Sequence, residues 1–132
     1  MGVKTLIVFD GDKFEESNLN RQLYCNYNTL KQNKALVSKK IIKTINKYIT
    51  IIAIDDYFSS KYLDLIISNN VDIIFSVADP DINFENLGDT LTSCLVKNIP
   101  IICGGVRKDD VSTIFNERRN LNYWFEFKYS MQ

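Results

Sequence analysis

Two aspartates flank a glycine just after the chain's first apolar run, at Asp10-Gly11-Asp12. A carboxylate at the carboxyl end of a buried strand can accept a ribose hydroxyl pair, and open α/β sheets bind their ligands at that end. Asp79 follows a later apolar run in the same way, and Gly104-Gly105 follows another. Position alone leaves a second reading open, in which Asp10 and Asp12 simply end a strand and begin a turn. Other chemistries are excluded by composition. The chain has no histidine, so it holds no Ser-His or Cys-His couple of its own. Cys25, Cys94 and Cys103 form an odd set without a CxxC pair, which makes neither a disulfide framework nor a zinc site. They read as reduced thiols in packing positions, as expected of a cytoplasmic protein.

Lysine plus arginine and aspartate plus glutamate number 16 each, so no basic face is available to drive nucleic-acid binding. No apolar run is long enough to span a bilayer, which argues against a membrane partner. The opening MGVKTLIVFDGD reads as a strand and not as a signal peptide. Its 132 residues suit one domain.

The elements that must position the aspartates follow a regular rhythm. Val3–Phe9 is a β-branched and aliphatic run of the kind buried in parallel sheets. Residues 13–32 are polar and asparagine-rich, and read as a functional loop with a short helical turn. Lys34–Asn46 has helical periodicity, with Asn33 as N-cap and Ala35, Val37, Ile41, Ile42 and Ile45 near one stripe. Tyr48–Ile54 is a second strand. A helix over Lys61–Ser68 follows, capped by Ser60, with Leu63, Ile66 and Ile67 facing inward. Val71–Val77 is a third strand, Leu87–Lys97 a helix, and Ile99–Cys103 a fourth strand ending at the glycine pair. Alternation of this kind implies an α/β layered domain with parallel strands and right-handed crossovers. Val111–Phe115 and Tyr123–Tyr129 then suggest an antiparallel hairpin at one sheet edge. The aromatic stretch Tyr123–Phe127 reads as a strand packed on the sheet or as a partner-binding edge.

The loop after Asp10 carries a family resemblance. DGDKFEESNLNRQ, from Asp10 to Gln22, has the form DxDxxxxSNLxRQ and resembles the motif after the second strand in ThiF, MoeB, HesA and the ubiquitin-activating enzymes. Its many fixed positions make it far more specific than a lone GxGxxG. Lys34 in NKALVSKKIIKTIN resembles the family's G-x-x-K-A helix start, VDIIFSVADP resembles its D-x-V-x-D-x-x-D-N strand end, and IPIICGGV resembles the strand after that. The likeness runs roughly from Gly2 to Arg107. It implies a Rossmann-like, doubly wound, mostly parallel sheet. It also implies ATP and magnesium (Mg2+) as cofactors. Carried over residue by residue, Asp10 and Asp12 lie at the nucleotide, with Asp10 on the ribose. Asn18, Arg21, Gln22 and Lys34 reach the phosphates, and Asp79 holds the metal. The residue types suit adenylation, in which a carboxylate attacks the α-phosphate and negative charge builds on the phosphoryl oxygens. Arg21 grips phosphate as a fork and Lys34 acts as a point charge, unless both are only solvated surface cations.

This sequence departs from the family pattern in places. Pro80 stands where the family has asparagine, Ser76 where it often has aspartate, and Asn33 where proline is frequent. The family's first strand, its glycine-rich phosphate loop and the helix after it have no counterpart before Val3. The amino-terminal arginine and the downstream catalytic cysteine and zinc ligands have none either. The expectation is one partial nucleotide-binding domain, working as a homo- or hetero-oligomer with a chain that supplies the first βα unit. Three functions compete. One is adenylation of the C-terminal carboxylate of a ubiquitin-like carrier protein or of a peptide, by a fragment or subunit. The second is an inactive family subunit that serves dimerisation. The third, a nicotinamide-dependent oxidoreductase, is disfavoured by the lack of GxGxxG.

Overall fold

The computed structural model describes residues 2–77, 93–94, 97–107, 110–116 and 125–129, with side chains only as far as residue 102. The chain packs as two compact units, Met1–Phe58 and Ser59–Gln132.

In the first unit, β1 (Thr5–Phe9) and β2 (Thr50–Ile54) pair in parallel, with Thr5 opposite Thr50 and Phe9 opposite Ile54. A parallel pair needs a crossover, and α1 (Lys34–Ile45) supplies it. This stretch holds no glycine or proline. It starts where the Asn33 side chain accepts a hydrogen bond from the Leu36 amide at 3.0 Å, satisfying one of the free donors of the first turn. Its last turn is closed by Lys43, whose ammonium donates to the carbonyls of Lys47 and Ile49. Ala35 and Val37 are buried, α1 packs against β2, and Ile49 and Ile51 are buried in the same unit. The expected stripe is shorter than its periodicity suggests. Ile41 and Ile42 are half-buried, and Ile45, in the final turn, is 74% exposed.

In the second unit, a 3-10 turn (Ser60–Tyr62) leads into α2 (Leu63–Ser68). Ser60 lies inside that turn instead of capping a helix, and α2 buries Ile66 while leaving Ile67 exposed. A six-residue helix has room for one buried position and little more. The sheet runs β3 (Ile74–Ser76), β4 (Ile101–Arg107), β5 (Asp110–Asn116) and β6 (Phe125–Tyr129), in that spatial order. β3 and β4 are parallel, whereas β5 runs antiparallel to both β4 and β6. Gly104 and Gly105 lie inside β4, opposite Thr113 and Ser112, and do not end the strand. The continuing backbone ladder with β5 overrides the weak strand preference of glycine. The expected helix over Leu87–Lys97 falls largely outside the described residues; of those described in that range, Ser93 and Cys94 are helical. The architecture is mixed α/β with parallel strand pairs. No helix among the described residues is long and apolar enough to cross a membrane.

Candidate functional site

The first unit gathers the charged groups around the end of β1. The strand ladder continues one residue past Phe9, as the Asp10 amide donates to the Ile54 carbonyl at 3.2 Å. The chain then turns sharply, and the Asp10 carboxylate accepts from the Asp12 amide at 2.9 Å. This is an Asx-type turn, in which a short acidic side chain replaces a backbone acceptor. Burial raises the pKa of Asp10, opposed by the Asp12 amide and by the charge of Lys34.

Asp12 sits between two donors. The Tyr57 hydroxyl donates to its Oδ1, and the Lys34 ammonium lies 3.3 Å from its Oδ2. The Tyr57 bond, with help from Lys34, lowers the Asp12 pKa against partial burial, and the same bond raises that of Tyr57. The Tyr57 ring lies close over Gly11, where a Cβ would meet the ring's Cε2 at 2.7 Å. Glycine is required here for close approach, since no glycine among the described residues has a positive φ. Beside this contact, the rings of Phe9 and Phe58 meet at a centroid distance of 4.9 Å.

Lys34 is the first residue of α1, and no acidic side chain occupies that helix's first turn. A cation there opposes the helix dipole, which favours negative charge at this end. The amides of Lys34, Leu36 and Val37 are already bonded, to the Asp12 carbonyl, to Asn33 Oδ1 and to the Asn33 carbonyl, so the Lys34 ammonium is what this end offers an anion.

Residues 13–33 leave and re-enter this site through a stitched neck. Lys13 and Asn33 form an isolated antiparallel bridge. The Phe14 amide donates to the Gln32 carbonyl at 3.0 Å, the Lys31 amide to the Phe14 carbonyl at 2.8 Å, and the Lys34 amide to the Asp12 carbonyl at 2.9 Å. The excursion has its own small core of Phe14, Cys25 and Val37, with Leu19, Tyr24, Leu30 and Ile41 packed against it. Full burial of a side chain such as Phe14 or Val37 contributes about 1.5–3 kcal/mol. That is enough to hold a loop that its sequence alone shows only as polar.

The motif SNLNRQ folds within this loop. Glu16–Asn18 form a 3-10 turn, and buried Asn18 accepts from the Glu15 amide at 3.1 Å through its side chain. Its backbone carbonyl accepts from the amides of Arg21 and Gln22 at 3.2 and 2.9 Å. Arg21 is exposed, and its guanidinium donates to the Ser17 carbonyl and, at 3.3 Å, to Asn20 Oδ1. Asp10 and Lys34 therefore both bond Asp12, Asp10 at its amide and Lys34 at its carboxylate. Arg21 and Asn18 make local bonds within the loop, and the Gln22 side chain is half-buried. Asp79 lies outside the described residues. The sequence reading passed over Asp55 and Tyr57 and saw Asn33 only as a cap. Asp55-Asp56-Tyr57 follows β2 at its carboxyl end, as Asp10 follows β1, and that position was the available signal.

A family model described as the ThiF family matches residues 1–122. Among solved structures, E. coli MccB is 26% identical with a TM-score of 0.68, over 88% of this chain and 32% of that one. E. coli tRNA N6-threonylcarbamoyladenosine dehydratase, TcdA, is 19% identical with a TM-score of 0.66, over 76% and 40%. PaaA is 22% identical with a TM-score of 0.68, over 83% and 32%. MccB has been solved with ATP and with MccA-N7isoASN, and TcdA in complex with AMP. The chain thus spans between 32% and 40% of the length of these three relatives. No curated protein matches it. With a family model running across nearly all of its residues, the protein belongs to the ThiF family.

Proposed function

We propose that this chain carries part of an ATP-dependent adenylation site, which activates the terminal carboxylate of a peptide or ubiquitin-like carrier protein. The observation behind this reading is Lys34. It stands at the amino end of α1, where a cation is disfavoured, and its ammonium faces Asp12 beside Asp10. That is a costly place for a structural lysine and a useful one for a phosphate ligand. Family membership and the MccB complexes with ATP and MccA-N7isoASN support the nucleotide and a peptide partner.

In the proposed reaction the substrate carboxylate oxygen bonds to the α-phosphorus, and the bond from that phosphorus to the bridging oxygen of the β-phosphate breaks. Acyl-adenylate and pyrophosphate result. Asp10 accepts the ribose hydroxyls, with Asp12 beside it. Lys34 meets phosphate as a point charge and Arg21 turns from Ser17 and Asn20 to grip it as a fork. Asn18 and Gln22 complete the phosphate face. Asp79 would hold magnesium, which would neutralise charge on the phosphoryl oxygens.

The test is ATP–pyrophosphate exchange with candidate peptides and carriers, for the chain alone and with the product of the adjacent gene. Arg21→Ala should lower exchange on the order of 10²-fold, the scale for losing one positioned charge partner. Exchange indifferent to Arg21→Ala rejects the assignment. Wild-type protein that binds no nucleotide by calorimetry would favour a family subunit kept for dimerisation.

A further inference from the structure

Asn33 does more than a helix cap requires. It is 6% exposed, and both ends of its amide are engaged. Capping uses the oxygen alone, which accepts from the Leu36 amide at 3.0 Å. The nitrogen Nδ2 lies 2.6 Å from Asp55 Oδ1, 2.7 Å from the Asp10 carbonyl and 3.1 Å from the Asp12 carbonyl. Two hydrogens serve these three acceptors, so one hydrogen is shared. The short bond to Asp55 is charge-assisted, and such bonds are about twice as strong as neutral ones. One buried side chain thereby ties together the turn after β1, the segment after β2 and the start of α1.

The geometry of that knot bears directly on Lys34. Its Cα neighbours Asn33, and its amide donates to the same Asp12 carbonyl that Nδ2 approaches. We propose that Asn33 is a positioning residue, whose amide nitrogen clamps the Asp10–Asp12 turn to the start of α1 and so sets the Lys34 ammonium beside the Asp12 carboxylate. The functional part rests on the reading of Asp10 and Lys34 as nucleotide ligands; the clamp itself does not.

Asn33→Asp separates the two roles, because aspartate caps a helix as well as asparagine does but donates nothing. Two readouts are used on the full chain: amide hydrogen exchange, and calorimetry with ATP and magnesium. In N33D the Leu36 amide should keep its protection, while the Phe14 and Lys34 amides exchange about tenfold faster or more, the factor one strong hydrogen bond carries. ATP affinity should fall by a similar factor of about ten. If N33D does not fold, Asn33→Ser gives the same readouts, since its hydroxyl caps but is too short to reach Asp55. Unchanged neck amides in N33D or N33S overturn the clamp. Should wild-type protein bind no ATP, the adenylation reading fails, and exchange alone decides the clamp.

Discussion

Replacing Lys34 with methionine should separate binding from stability. The substitution keeps the length and apolar stem of the side chain and removes its charge. At 3.3 Å from Asp12 Oδ2, the gross attraction is about 5 kcal/mol for an effective dielectric near 20. Little of this survives as net stability, because Asp12 is 43% exposed and partly exposed ion pairs are worth about 0.2–1 kcal/mol. Against that stands the misplaced cation at the start of α1, whose removal returns about 0.3–1 kcal/mol. The two effects nearly cancel, so the melting temperature should move by only a few degrees, since about 1 kcal/mol shifts a small domain by about 4–8 °C. Binding has no such offset. A charged hydrogen bond to phosphate is worth about 1.5–3 kcal/mol, so ATP affinity should fall by about tenfold to a hundredfold. Thermal melts and titration calorimetry on the same preparations measure both. Undiminished ATP binding in Lys34→Met, or a collapse in melting temperature without further loss of affinity, would refute the reasoning.

Phe14→Ala should empty the small core of the loop, costing about 3–5 kcal/mol in urea denaturation, a large fraction of the stability of any domain. Gly11→Ala should push the Tyr57 ring off Asp12, because the new Cβ would lie 2.7 Å from it. The tyrosine absorbance titration should then shift back toward its ordinary pKa, and an unshifted titration would mean that the ring is not displaced. The Asp12 carboxylate is held low chiefly by Tyr57, so its contribution is present above the unfolded value and lost as pH falls through the folded one. The stability gap between wild type and Tyr57→Phe should therefore be widest near neutrality and close in acid. Asp10 behaves oppositely: burial raises its pKa, so its charged form costs stability at neutral pH, a cost relieved on acidification. ATP binding through ionised Asp10 should begin to fail at a higher pH than an ordinary carboxylate would dictate, as calorimetry across that range can follow.

Much of the first unit was legible in the sequence. β-branched runs marked β1 and β2, and Asn33 before an apolar stripe marked α1, because local propensity and tertiary packing agree there. A dense motif and its spacing singled out Asp10, Asp12 and Lys34, and these do bond in turn, Lys34 at the Asp12 carboxylate and the Asp12 amide at Asp10; their part at a nucleotide belongs to the proposed function. Tyr57 and Asp55 were not singled out, because their signal, a place after β2 like that of Asp10 after β1, becomes proximity only once the two strands pair in parallel. The core of the loop was equally hidden. Phe14, Cys25 and Val37 have no common period and become neighbours only when the neck closes. The glycine pair in β4 misled for the opposite reason: local preference said break, and pairing with β5 prevailed.

The stitched neck has an evolutionary implication. A chain that exits and returns through one bridge at Lys13 and Asn33 is anchored at its base, while Phe14 and Cys25 pack with Val37 and Ile41 of α1. Closing a longer excursion costs little extra entropy, about 0.6 kcal/mol for each doubling of length. Insertions in the exposed part of this loop should therefore be tolerated more readily than changes at the residues that pack on α1.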